Sequence, residues 1–182
     1  MQKTMRRFFI PATALFCSLG ILMIFPVACP ADVSVAGDTS PAAASISDAG
    51  GPIGGDLIIG NDGIAGLFMD IAPPLFDPLM PLQSTNGIIG NNELAIGAVT
   101  LEDFLGGDWI VDNDFTVGRE GQAFLDLFDS ASVTVGGMTV FGEEETGTGV
   151  STVNGQGSRI LTDGLIMGDL GFGQLTIRDR AI

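Results

Sequence analysis

Short apolar runs that end in glycine recur along the chain. DLIIG closes at Gly60, NGIIG at Gly90, DFTVG at Gly118, MTVFG at Gly142 and GLIMG at Gly168, at intervals of 30, 28, 24 and 26 residues. A near-constant period in this range marks a stacked-repeat architecture. About seven residues after each glycine a second run begins: LFMDI (67–71), AVTL (98–101), FLDLF (124–128), GVSTV (149–153) and QLTI (174–177). Several of these alternate apolar with polar residues, the period-two pattern of half-buried strands. A third candidate closes three of the units: DWIV (108–111), SVTV (132–135) and SRIL (158–161). Each unit therefore reads strand, glycine turn, strand, polar turn, strand. Such a unit is too short for a propeller blade of about 40 to 45 residues. Long amphipathic patterns, which a helical solenoid needs, do not occur.

These spacings predict an all-β chain wound as a parallel β-solenoid of about five short coils. Each strand would pair with its equivalent in the coils above and below, about 4.8 Å away. The residues before the corner glycines, Ile59, Ile89, Val117, Phe141 and Met167, are expected to stack inside. Two positions earlier, Leu57, Gly87, Phe115, Thr139 and Leu165 share that face. The fourth unit has a competing alignment in which MTV matches FTV and Phe141 is an insertion. Glycine at the corner suits a bend that needs positive φ. The fifth unit offers GLIM and QLTI but no third strand before the sequence stops. An open last coil would leave strand edges and apolar side chains unmatched, so end-to-end self-association or additional repeats are expected.

The ends differ from this pattern. All nine prolines lie at or before Pro81, and Pro is confined to edges and bulges in sheets. The insertion APPLFDPLMPLQS (72–84) sets Phe76, Leu79, Met80 and Leu82 among four prolines. It is expected to fold over the solenoid side or to dock a partner. Residues 37–54, rich in Ser, Ala, Gly and Pro, read as a flexible linker. That places the repeat domain at 55–182, with its last coil incomplete.

Lys3, Arg6 and Arg7 are followed by an uncharged apolar stretch, FFIPATALFCSLGILMIFPVACPA, and then by small residues. Residues 1–36 thus read as a secretory signal peptide, cut after Ala31 or Ala36. A retained membrane anchor is the competing reading, since the run is long enough for about 20 helical residues. Pro11 and Pro26 interrupt that run, and no basic stop-transfer cluster follows. Lipid attachment at Cys29 is disfavoured by Pro26, where such a motif wants Leu. The expected location is secreted or cell-surface, with membrane contact only through this segment.

Cleavage after Ala31 leaves four arginines against all 22 acidic residues, a net charge of −18 in place of −15. Both cysteines, Cys17 and Cys29, leave with the signal, so no disulfide is available. A surface of that charge repels phosphate backbones, which excludes nucleic acid as a partner. The absence of His removes the commonest general base and metal ligand. Nucleophilic triads and zinc or copper sites are therefore not expected, and no catalytic residue is assigned.

The last seventy residues bear a likeness beyond their period. DFTVGREGQAFLDLFDSASVTVGGMTVFG and DGLIMGDLGFGQLTIRD resemble repeats of exported bacterial proteins associated with autotransporter passengers and PEP-CTERM sorted proteins. The best matches are Leu165 to Ile177 and Phe115 to Leu127, and TGTGVSTVNGQGSRI (146–160) is similar to the linking segment. The resemblance covers residues 113–182 well and 55–103 loosely. It implies a right-handed parallel β-helix in a secreted or surface-displayed protein, without known catalysis. No functional residues come with it, because the motif is structural. The chain departs from that pattern in having neither a Pro-Glu-Pro segment with an anchor helix nor a translocator barrel.

One constellation has a chemical reading. The positions after the corner glycines are Asn61, Asn91, Arg119, Glu143 and Asp169, followed by Asp62, Asn92, Glu120, Glu144 and Leu170. Stacking would turn these into ladders of oxygen acceptors, which hard divalent cations such as calcium favour. The bland alternative is a solvated turn in which Arg119 offsets its acidic neighbours. Glu143, Glu144 and Glu145 then guard the surface against aggregation. The expectation is a non-enzymatic exported structural or adhesion module that meets extracellular polysaccharide or a surface protein. A calcium-dependent carbohydrate- or protein-binding module is the alternative. A polysaccharide-active enzyme ranks last, since its sites also need basic side chains.

Overall fold

The computed structural model describes residues 32–42, 50–70, 80–102 and 108–182. They contain strands and turns, with no helix among the described residues. The chain winds as a parallel β-solenoid of about four turns, with three sheets forming its sides. In chain order, sheet C, B and A strands alternate from coil to coil. They are β3 (Gly50–Pro52), β4 (Leu57–Ile59) and β5 (Ile64–Asp70); β6 (Met80–Ser84), β7 (Gly87–Ile89) and β8 (Ile96–Glu102). Next come β9 (Asp108–Val111), β10 (Phe115–Val117) and β11 (Gln122–Phe128); β12 (Ser132–Val135), β13 (Met138–Phe141) and β14 (Thr148–Asn154). The last are β15 (Arg159–Leu161), β16 (Gly164–Met167) and β17 (Phe172–Arg178).

The rows predicted from the sequence form the core. Ile59, Ile89, Val117 and Phe141 are in parallel register and fully buried. Phe141 pairs with Val117, so it belongs to the row and is no insertion. Every corner glycine has positive φ, from 67° at Gly168 to 76° at Gly118. Met167 and Leu165 depart from the expectation and are 39 % and 45 % exposed; among the described residues their strand, β16, has a neighbour on one side only.

The gap left by Gly87 in its row has an occupant. A Cβ there would lie 2.6 Å from Phe115 and 2.9 Å from Trp109. Those two rings pack edge to face, with centroids 5.0 Å apart and planes at 71°. The Trp109 indole N–H donates to Ser84 Oγ at 3.0 Å, so the buried ring carries no orphan donor. Toward the last coil the core becomes more polar. Thr139 and Ser151 are fully buried, and their hydroxyls have no partner. Such an unmatched group costs about 1–3 kcal/mol.

The beginning of the domain differs from the sequence expectation. Asp32–Gly37, which spans the expected end of the signal segment and the first linker residue, forms β1, which pairs antiparallel with β5 over all six residues. Thr39–Ser40, placed in the linker, forms β2 and pairs antiparallel with β4. The alternation in DVSVAG allows this, and the free edges of β4 and β5 supply the hydrogen-bond partners. The solenoid itself begins at Gly50, inside the expected linker. Its first two third-side strands, β3 and β6, are hard to see in a sequence of Gly and Pro. Pro81 is accommodated at a register shift, where Gly50 pairs with Met80 and Gly51 with Leu82. A residue without an N–H fits such a break in the ladder. Leu82 enters the core, while the rest of the apolar insertion through residue 79 and the signal segment through residue 31 lie outside the described residues. At the other end Ala181 and Ile182 start a third side along β15, with Ile182 N donating to Ser158 O at 2.9 Å.

Candidate functional site

The corner after each glycine is built by the backbone first. Gly90 N donates to Ile59 O (2.9 Å), Asn91 N to Gly60 O (2.8 Å) and Arg119 N to Gly90 O (3.0 Å). Glu143 N continues to Gly118 O (3.0 Å) and Asp169 N to Gly142 O (3.1 Å). Each corner is thereby fixed on the one before it, and the side chains that follow the glycines fall into register.

Those side chains bond along the row. Asn91 Nδ2 donates to Asn61 Oδ1 at 2.9 Å, and Arg119 Nη1 to Asn91 Oδ1 at 3.4 Å. Arg119 Nε lies 3.7 Å from Glu143 Oε2, with the side chains 45 % and 34 % exposed. An exposed ion pair of this kind contributes at most about 1 kcal/mol. In the neighbouring row Asn92 donates to Asp62, which also accepts from Asn61 Nδ2 at 3.0 Å. The expected oxygen ladder is thus interrupted by a guanidinium and tied together by amide donors. Its acceptors are met by side-chain N–H donors of the next coil. No group of three His, Cys, Asp or Glu residues able to hold a metal ion occurs among the described residues.

Two related features lay beyond the sequence reading. A second ladder runs down the corner before sheet B. There Asn86 Nδ2 donates to Asp56 Oδ1 (2.7 Å), Asp114 N to Asn86 Oδ1 (3.3 Å) and Met138 N to Asp114 Oδ1 (2.8 Å). Its signal was the first letter of DLIIG, NGIIG and DFTVG. The other feature is Asp38, whose carboxylate accepts from Asp62 N (2.6 Å) and Gly63 N (2.8 Å). Its carbonyl also takes Gly60 N and Asn61 N. Asp38 therefore stands in for the corner that a preceding coil would supply.

The outer face of sheet A is the remaining chemically distinctive surface. Phe68, Phe124 and Phe172 are 36 %, 41 % and 56 % exposed there. They sit on β5, β11 and β17, alternate strands of the sheet, each two residues out of register with the next, which sets them about 12 Å apart on a diagonal. Asp126 follows Phe124 by two residues on β11 and stands in one cross-strand row with Phe68, Thr100 and Thr152. Burial pushes its carboxyl above the usual aspartate range, and hydrogen bonding to Thr152 opposes that shift.

A raised folded-state value means that the folded chain holds this proton more tightly than the unfolded one. Asp126 therefore contributes stability below the ordinary aspartate range and loses it as pH rises through the raised value. Asp126→Asn is expected to raise the melting temperature at pH 7 and to flatten that part of the profile. Melting curves of both proteins between pH 3 and 8 check this; parallel profiles would contradict it.

Comparison of the chain with protein-family models, with curated proteins and with solved structures found no match.

Proposed function

We propose that the protein is an exported, non-enzymatic structural or adhesion module, displayed at the cell surface or in extracellular matrix. The observation that carries this is the outer face of sheet A. It sets exposed phenylalanines on alternate strands of a parallel sheet, beside the polar side chains of Thr100, Asp126 and Thr152. Aromatic rings held at fixed spacing on a rigid surface suit a repetitive partner such as an extracellular polysaccharide. The corner ladders support a structural role, since their polar groups are spent on one another. The likeness of residues 113–182 to exported repeat proteins agrees with this reading.

Export also fits the first strand. Cleavage after Ala31 leaves β1 whole, whereas cleavage after Ala36 removes five of its six residues. Mass spectrometry of the protein from its own source is expected to find Asp32 as the mature N-terminus. An intact Met1 would sink the localisation. For adhesion, binding to a panel of insoluble polysaccharides is the measurement. Phe124→Ser is expected to weaken the retained interaction at least about fivefold, roughly 1 kcal/mol, while melting as the parent does. Retention unchanged by that substitution, or absent for the parent on every matrix, would count against this face.

A further inference from the structure

An asparagine followed by glycine can close its side-chain amide on its own main chain, because glycine puts no Cβ in the path of the attacking nitrogen. The sequence holds this pair twice, at Asn86-Gly87 and at Asn154-Gly155. The fold treats the two differently.

Asn86 is held at three points. Its Nδ2 donates to Asp56 Oδ1 at 2.7 Å, and its Oδ1 accepts from Asp114 N at 3.3 Å. Gly87 N, the atom that would attack, donates to Asp114 O at 3.1 Å. Gly87 itself opens β7 and is buried against Phe115 and Trp109.

Asn154 is the last residue of β14, and the turn Gly155-Gln156-Gly157 follows it. Gly155 and Gly157 have φ of 98° and 93°, and Gln156 and Gly157 are exposed to water. Asn154 Oδ1 is buried without a hydrogen-bond partner. No donor pins that carbonyl, and an unmatched buried acceptor raises the free energy of the amide as it stands. The main-chain carbonyl of Asn154 accepts from the Ser158 hydroxyl at 2.7 Å, a bond that turning the peptide group gives up.

We propose that Asn154 is a site of spontaneous covalent modification, while Asn86 is protected from the same reaction. Gly155 N bonds to Asn154 Cγ, and its proton passes through solvent to Nδ2. The Cγ–Nδ2 bond breaks, ammonia leaves and a cyclic imide remains. Water then opens the ring at either carbonyl, giving aspartate or isoaspartate with no change of oxidation state. The aspartate stands in register with Arg178 of β17, where opposite charges on neighbouring strands attract. The isoaspartate adds a methylene to the main chain at the corner between sheets A and C.

The test is incubation of the full chain at mildly alkaline pH, folded and in urea, followed by peptide mass mapping with fragmentation. In the folded chain, conversion at Asn154 is expected to run at least about tenfold faster than at Asn86, where three bonds must open first. In urea both amides are released, and the two rates should converge. Asn154→Gln, whose longer side chain needs a larger ring, should leave residue 154 unconverted. If that variant fails to fold, the map of the unaltered chain decides alone. Equal rates at the two sites in the folded chain overturn the proposal. So does a folded chain that keeps Asn154 intact while the chain in urea converts it.

Discussion

Val117→Asp is expected to abolish cooperative folding. Val117 is fully buried in the middle of the row, paired with Ile89 on one side and Phe141 on the other. The stacked coils on both sides leave a carboxylate no route to water. An unpaired buried charge costs several kcal/mol, and protonating it to avoid that penalty is itself costly at neutral pH. Against a typical total of about 5–15 kcal/mol, this substitution takes most of the stability. Glu144→Ala is the matched control. Its side chain is exposed, and its backbone N–H keeps the bond to Arg119 O, so a change within about 0.5 kcal/mol is expected. Circular-dichroism melts of the two variants beside the parent make the comparison. Similar melting of both would mean that the inside and outside of the coil have been exchanged.

Gly118→Ala is expected to have the second largest effect, although it adds one methyl group. Gly118 has a φ of 76°, where an L-residue loses about 1–2 kcal/mol. The added Cβ would also lie 2.4 Å from the carbonyl of Thr148, at the start of β14. That atom is backbone in a paired strand and cannot swing away. Relief requires lifting one coil from the next, which also lengthens the Gly118-to-Ile89 and Glu143-to-Gly118 hydrogen bonds. The combined loss should exceed about 3 kcal/mol, the upper part of the usual range for one substitution. Urea denaturation with an unchanged slope and a lowered midpoint is the expected signature. A midpoint within error of the parent would show that the corner tolerates a side chain.

How much of this was legible follows from which residues carry local information. A corner glycine preceded by two apolar residues states both a bend and a buried position, so sheets A and B could be drawn from letters alone. Gly87 could not be explained in that way. The space it leaves is filled by Trp109 and Phe115 from the following coil, a relation that exists only after winding. The strands β3 and β6 were hidden for a different reason. GGP and MPLQS have poor strand propensity, and they are strands because their neighbours offer unpaired edges. The same holds for β1 and β2, whose letters resemble a processing site and a linker.

The corner ladder was visible as a row but not as a set of bonds. Position alone grouped Asn61, Asn91, Arg119 and Glu143; it could not say whether their oxygens converge on a cation or are shared as acceptors. The structure adds the contacts of Arg119 with Asn91 and Glu143 on either side. Asp38 shows the limit most clearly. It lies 24 residues before the corner whose amides it holds, in a stretch with no periodicity.

The strand-to-strand hydrogen bonds run along the solenoid axis, and this has a mechanical consequence. Tension applied between the two ends loads the rows of bonds one coil at a time, because each coil is held only by its neighbours. A released coil of about 26 residues extends by roughly 90 Å at about 3.4 Å per residue, while the coils still wound keep their length. Under such a load the stack is a shock absorber that pays out chain in discrete lengths. In single-molecule stretching it would give a series of steps, one for each coil released.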